Sequence, residues 1–178
     1  MKSDEKQLIE SSKNGSLSAF EELMKPFQGR IYNFLKKMCN QGETAEDMMQ
    51  ETFVSVWKSI GTYREEAKFS TWLFQIASNH CLMQKRKDSR RPQVSLDATI
   101  HPDFSADPSV VYDKNDLKQK LDAALAKMPE SYRVVYVLKD IEGFRSQEIA
   151  DMLGLSLPNV KARVLRARQK LQAILQGA

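Results

Sequence analysis

From Ser146 to Leu171 the chain reads Ser-Gln-Glu-Ile-Ala-Asp-Met-Leu-Gly-Leu-Ser-Leu-Pro-Asn-Val-Lys-Ala-Arg-Val-Leu-Arg-Ala-Arg-Gln-Lys-Leu, and no other stretch restricts the possible folds as much. Ala150 is small enough to let two helices approach, Gly154 accepts a left-handed turn, and Ser156 is a suitable N-cap four residues before an apolar Val160. These features in register predict a helix-turn-helix with a basic second helix. Such a motif implies contact with duplex DNA.

A helical wheel at 100° per residue sorts the second helix, expected over 157–175, into two faces. Val160, Val164, Ala167, Leu171 and Ile174 fall on the side that must be buried. Pro158, Ala162, Leu165, Arg166 and Gln169 fall opposite, flanked by Asn159, Lys161, Arg163 and Arg168. An arginine such as Arg166 can contact guanine through two hydrogen bonds, and Asn159 or Gln169 can address adenine. Ala162 or Leu165 can touch thymine methyls while the flanking cations neutralise phosphates. A basic helix by itself is more often a solvated surface. The turn in register with Ala150, Gly154 and Val160 favours a DNA-reading helix.

The remaining chain sets this motif in a larger plan. With 178 residues, 42% of them hydrophobic and 28% charged, the chain is an ordinary globular protein long enough for one moderate core or two small ones. Its net charge of +4 is unevenly spread. Bases dominate Lys85-Arg-Lys-Asp-Ser-Arg-Arg91 and the tail from Lys161, whereas Asp97, Asp103, Asp107, Asp113 and Asp116 face only Lys114 between them. Pro92, Pro102 and Pro108 lie in the same acidic stretch, so 92–115 reads as an extended linker between domains at 1–91 and 116–178. The N-terminus lacks the apolar core of a secretory signal and there is no run of eighteen apolar residues, so the expected location is the cytoplasm, with no membrane insertion. Cys39 and Cys81 fit a reducing compartment, and with His80 and His101 they spell no familiar zinc pattern. Neither a metal nor a cofactor is called for.

The expected fold class is all-α, in two small helical domains. Phe20, Leu23, Met24, Phe27, Ile31, Phe34, Leu35 and Met38 recur at helical spacing, with Pro26 predicting a kink or a second helix beginning there. Thr44 is a good N-cap for a helix whose inner face is Ala45, Met48, Met49, Thr52, Phe53, Val56, Trp57 and Ile60. Its polar face carries Glu46, Asp47, Gln50, Glu51, Ser55 and Lys58. A loop over 61–68 leads to a helix from about Ser70 to Lys87, with Leu73, Ile76, Ala77 and His80 inward. In the second domain Leu117, Leu121, Ala124, Leu125 and Met128 precede Pro129, and a further helix leads to a turn at Glu142-Gly143. The segment Lys68-Phe-Ser-Thr-Trp-Leu-Phe-Gln-Ile-Ala-Ser-Asn79 interleaves aromatics, hydroxyls and an amide just ahead of the basic run. That is chemistry suited to an unpaired strand, although aromatics at helical spacing are more often core.

Taken in order, Thr44-Ala-Glu-Asp-Met-Met-Gln-Glu-Thr-Phe53, the segment Phe69 to Asn79, Leu125 to Pro129, Glu148-Ile-Ala and Val160 to Arg168 resemble the extracytoplasmic-function sigma factors. These are compact specificity subunits of bacterial RNA polymerase, not enzymes. The resemblance implies that Asp47, Gln50 and Glu51 dock on the coiled coil of the polymerase's largest subunit, with the flap as a further contact. It places Tyr63, Arg64, Phe69, Thr71, Trp72 and Asn79 where the minus-10 element is opened and a base captured, with Lys85, Arg86 and Arg90 on the adjoining backbone. Extruding a base costs a few kcal/mol, which stacking and hydrogen bonding must offset. It gives Pro158, Asn159, Lys161, Ala162, Arg163, Leu165, Arg166, Arg168 and Gln169 to the minus-35 element. The linker would run through the active-centre cleft, and an anti-sigma protein is the implied inhibitor. Departures at Pro158-Asn159, Ala162 and Met83 bear on promoter preference. Two other classes share parts of the pattern: a stand-alone duplex-binding regulator, which leaves the Trp72 and Asn79 set without a purpose, and a metal-dependent nuclease built on Glu46, Asp47 and Glu51.

Overall fold

The computed structural model describes residues 2–38, 45–88 and 114–176. Helices α1 (Lys2–Lys13), α2 (Leu17–Met38), α3 (Ala45–Ser59) and α4 (Phe69–Asp88) come first, with a 3-10 turn at Ile60–Thr62. Helices α5 (Lys114–Lys127), α6 (Glu130–Tyr136), α7 (Ser146–Leu153) and α8 (Leu157–Gln176) follow, with a π-helical turn at Val137–Ile141. No strand occurs among the described residues, and the fold is all-α. Packing divides the chain into two compact units, Met1–Gln84 with Asp151–Gly154, and Lys85–Ala150 with Leu155–Ala178. Most of the expected linker lies outside the described residues, as do Thr44 and Cys39. No helix among the described residues is long and apolar enough to cross a membrane.

In the first unit the boundary between α1 and α2 follows from local chemistry. Gly15 takes φ 88°, and the amides of Ser16 and Gly15 return to the carbonyls of Ser11 and Ser12 at 3.0 Å each. That left-handed exit satisfies the last carbonyls of α1. Ser16 then caps α2 by accepting the Ala19 amide on Oγ at 3.3 Å. Helix α2 continues through Pro26 instead of breaking there. Its buried stripe explains why: Phe20, Leu23 and Met24 before the proline and Phe27, Ile31, Phe34 and Leu35 after it all reach the same core. Burial on that scale outweighs one missing N–H, and Pro26 itself is exposed.

Edge-to-face ring pairs hold this core together. Phe20 meets Trp57 at 5.0 Å between centroids, Phe34 meets Phe74 at 5.3 Å, and Phe27 meets Phe69 at 5.5 Å. These geometries place ring edges on ring faces, the favoured arrangement of aromatic quadrupoles. Of the expected inner face of α3, Ala45, Met48, Thr52, Val56 and Ile60 are buried, while Met49, Phe53 and Trp57 are half-buried.

In the second unit Ala124, Leu125, Met128, Val134, Val135, Val137 and Leu138 are buried. Arg133 is also buried, and its Nη2 donates to the carbonyl of Met128 at 3.1 Å. A cation at the C-terminus of α5 thus meets carbonyls that lack helical partners.

Candidate nucleic-acid interfaces

Helix α7 ends as the glycine predicts. Gly154 takes φ 63°, and the Leu155 amide returns to the Ala150 carbonyl at 2.9 Å. Two residues later Ser156 opens α8, accepting the Asn159 amide on Oγ at 3.4 Å and the Val160 amide on its carbonyl at 3.0 Å. At the start of α7, Glu148 accepts the Arg145 amide at 2.7 Å, so both helices have defined origins.

The wheel predicted the orientation of α8. Val160, Val164, Ala167 and Leu171 are buried, and Ile174 is half-buried. Pro158, Asn159, Lys161, Ala162, Leu165, Arg166, Arg168 and Gln169 are exposed, and Arg163 is half-exposed. Leu165 is 59% exposed, a large apolar side chain on a basic face and therefore suited to a thymine methyl. Three of the polar residues, Asn159, Arg163 and Arg168, already have partners. Arg163 donates from Nε to Asn159 Oδ1 at 2.8 Å, one helical turn back. Asn159 must release or share that oxygen to meet adenine through two bonds.

Arg168 is engaged further away. Its Nε and Nη2 donate to the two oxygens of Asp140 at 2.9 and 2.6 Å, a bidentate pair that ties α8 to the π-helical turn. The hydrogen bond to Asp140 raises the guanidinium pKa, with the carboxylate's charge acting in the same direction. Sequence reasoning assigned Arg168 to phosphates and did not find Asp140. Nothing in local spacing marks that residue, because the contact depends on how the turn packs.

In the first unit the aromatic set divides. Phe69 is almost wholly buried, and Tyr63 and Thr71 are buried as well. Tyr63 packs on Phe69 at 5.5 Å and on Trp72 at 5.3 Å, and Phe69 packs on Trp72 at 5.8 Å. Phe69 therefore supports the surface from beneath, where sequence reasoning had grouped it with residues that meet DNA. Trp72 is half-buried, Asn79 and Arg64 are exposed, and Thr71 Oγ1 has no hydrogen-bond partner among the described residues. Burial raises the pKa of the Tyr63 hydroxyl, which donates to the Ala67 carbonyl at 2.7 Å and closes the loop on itself. Lys85 and Arg86 lie on α4, their side chains outside the described residues, as is Arg90 altogether.

On α3, Asp47, Gln50 and Glu51 share an exposed face. Gln50, Glu51, Val54, Ser55 and His80 line an open groove there. His80 Nε2 lies 2.8 Å from Ser55 Oγ, and its Nδ1 lies 3.9 Å from Glu51. His80 was expected to point inward. It sits half-buried at the groove's edge, held by a hydroxyl that supplies the polar partner a core position would lack. Among the described residues no three His, Cys, Asp or Glu side chains converge as a metal site would require.

The described residues thus form an all-α protein that carries a capped helix-turn-helix over α7 and α8, with a basic exposed face on α8, and an aromatic and amide surface around Trp72 and Asn79. Residues 23–91 match the model for Sigma-70 region 2, and residues 118–171 match that for Sigma-70, region 4. The chain is 30% identical over 182 residues to the ECF RNA polymerase sigma factor SigW of Bacillus subtilis, covering 96% of each chain. It is 33% identical over 170 residues to the RNA polymerase sigma factor CarQ of Myxococcus xanthus, covering 94% of this chain and 95% of that one. Among solved structures, the sigma factor RpoE from Bartonella quintana, crystallised with the anti-sigma factor NepR, shares the fold at a TM-score of 0.71 and 24% identity, covering 89% of this chain and 98% of that one. The chain belongs to the ECF sigma factors of the sigma-70 family.

Proposed function

We propose that this sigma factor brings core RNA polymerase to promoters by dividing the work between its two units. The exposed face of α8, centred on Arg166, Leu165 and Gln169, reads the minus-35 element as duplex. Trp72 and Asn79, with Arg64 beside them and Tyr63, Phe69 and Thr71 beneath, take the non-template strand of the minus-10 element. Lys85, Arg86 and Arg90 hold its backbone. Asp47, Gln50 and Glu51 dock on the coiled coil of the polymerase's largest subunit, and the second unit meets the flap. The domain boundaries are those of the sequence, 1–91 and 116–178, with the acidic linker between them passing through the active-centre cleft.

The observation that carries this reading is the arrangement of α8, whose apolar stripe is buried and whose basic and amide residues are exposed behind a capped turn. Two linked contacts to one DNA raise the effective affinity of each when their spacing matches. The protein acts in the cytoplasm through binding, without a catalytic step or cofactor. An anti-sigma protein, of the kind bound to the Bartonella RpoE, would hold it inactive. Reconstitution with core polymerase, followed by genome-wide mapping of transcription starts, tests the assignment. New start sites that share two spaced elements are expected. A chain that neither binds core nor directs starts would refute it.

A further inference from the structure

The loop between the 3-10 turn and α4 holds the one non-glycine residue with a left-handed backbone among those described, Glu65 at φ 57°. A side chain crowds the backbone in that region, so such a conformation persists where its surroundings hold it. Glu65 is held from α1: its Oε2 lies 2.8 Å from Lys6 Nζ. The contact raises the pKa of the Lys6 ammonium and lowers that of the Glu65 carboxyl, chiefly through the shared hydrogen bond. Further along α1, Lys13 Nζ sits over the Tyr63 ring, 5.8 Å from its centroid. Helix α1 is itself anchored by buried Ile9 and Ser12. It therefore grips the loop on both sides of Arg64, yet it precedes residue 23, where the match to Sigma-70 region 2 begins.

We propose that α1 is a brace for promoter melting, in which Lys6 and Lys13 are positioning residues that hold the 63–68 loop in the shape that receives the unpaired minus-10 strand. Lys6 also neutralises a carboxylate that would otherwise face phosphates. The inference rests on the assignment of that loop to the minus-10 element.

The test uses the full chain bound to core polymerase and a fluorescent single-stranded oligonucleotide carrying the non-template minus-10 sequence of a promoter mapped for this chain. Lys6→Glu should weaken binding of the strand about fivefold, near the upper limit for one exposed ion pair. Affinity for core should be unchanged. Glu65→Lys is the sharper arm, since on charge alone an added cation beside DNA tightens binding; the brace predicts that it weakens. The double reversal Lys6→Glu with Glu65→Lys should restore binding to within about twofold, as coupled partners do in a mutant cycle. Tighter binding by Glu65→Lys, or a double variant no better than its weaker parent, overturns the proposal. Trp72→Ala and Asn79→Ala separate the two levels. If these weaken strand binding and Lys6→Glu does not, only the brace fails; if none of the three has an effect, the loop is not the contact and both readings fall.

Discussion

Replacing Tyr63 by phenylalanine separates the shape of the 63–68 loop from the stability of the core beneath it. The hydroxyl donates to the Ala67 carbonyl at 2.7 Å, and its loss removes one partly buried hydrogen bond. Such bonds contribute about 1 kcal/mol net. The cost stays at that level because Ala67 is exposed and water can take over its carbonyl. The ring contacts with Phe69 and Trp72, at 5.5 and 5.3 Å, survive in the phenylalanine. Tyr63→Ala loses them as well, and truncating a buried aromatic costs about 3–5 kcal/mol. Against a total stability of about 5–15 kcal/mol, the alanine threatens folding and the phenylalanine does not. Denaturant unfolding of the two variants should show this difference.

If the closed loop forms the capture surface, the same 1 kcal/mol appears in function. Tyr63→Phe then binds the unpaired minus-10 strand about fivefold more weakly. Wild-type strand affinity in a variant that has lost about 1 kcal/mol of stability would refute the link between loop closure and capture. The pH dependence gives a second check. Burial raises the Tyr63 pKa in the folded state, so its contribution is fully present below the ordinary tyrosine value and is lost as pH rises through the raised one. Wild type should therefore lose more stability above about pH 10 than Tyr63→Phe does. Tyr136, also raised chiefly by burial, contributes equally to both proteins and cancels in the comparison.

Three further outcomes test the helix-turn-helix and the contacts of α8. Arg166→Ala should lower discrimination at one minus-35 base pair by about 1–3 kcal/mol in a competition assay across substituted promoters; equal losses on every sequence would make it a phosphate contact. Asp140→Asn should release Arg168 toward DNA and steepen the salt dependence of duplex binding by about one unit of slope, whereas an unchanged slope would leave Arg168 outside the phosphate contacts. Gly154→Ala should destabilise the helix-turn-helix by about 1–2 kcal/mol through backbone strain alone, because φ is 63° and the space around the added Cβ is open. Unfolding followed by circular dichroism measures it, and a neutral result would show that the turn relaxes.

These perturbations also mark where sequence reasoning reaches and where it stops. Gly154, Ser156 and Val160 were legible because each acts on its own turn of helix: a left-handed exit, a cap and a buried i+4 neighbour are decided within a few residues. The stripe on α2 was equally plain, and of the two outcomes expected at Pro26 the separate second helix does not occur, since a local rule about one amide is outweighed by burial along the whole helix. Tertiary pairing was not legible. Asp140 and Arg168 are 28 residues apart, and Lys6 and Glu65 belong to different elements. In the sequence each is one more surface charge. The aromatic cluster shows a subtler limit, because periodicity starts a helix near Ser70 with Trp72 on it but does not say that Phe69, just ahead of it, lies under Trp72. Burial separates them into a support and a surface, and the same logic extends to Lys6 and Arg64. A residue that shapes a binding loop and a residue that touches the ligand have the same chemistry in a sequence. They separate only when charge reversal is made at both ends of the ion pair, because a support is rescued by its swapped partner and a contact is not.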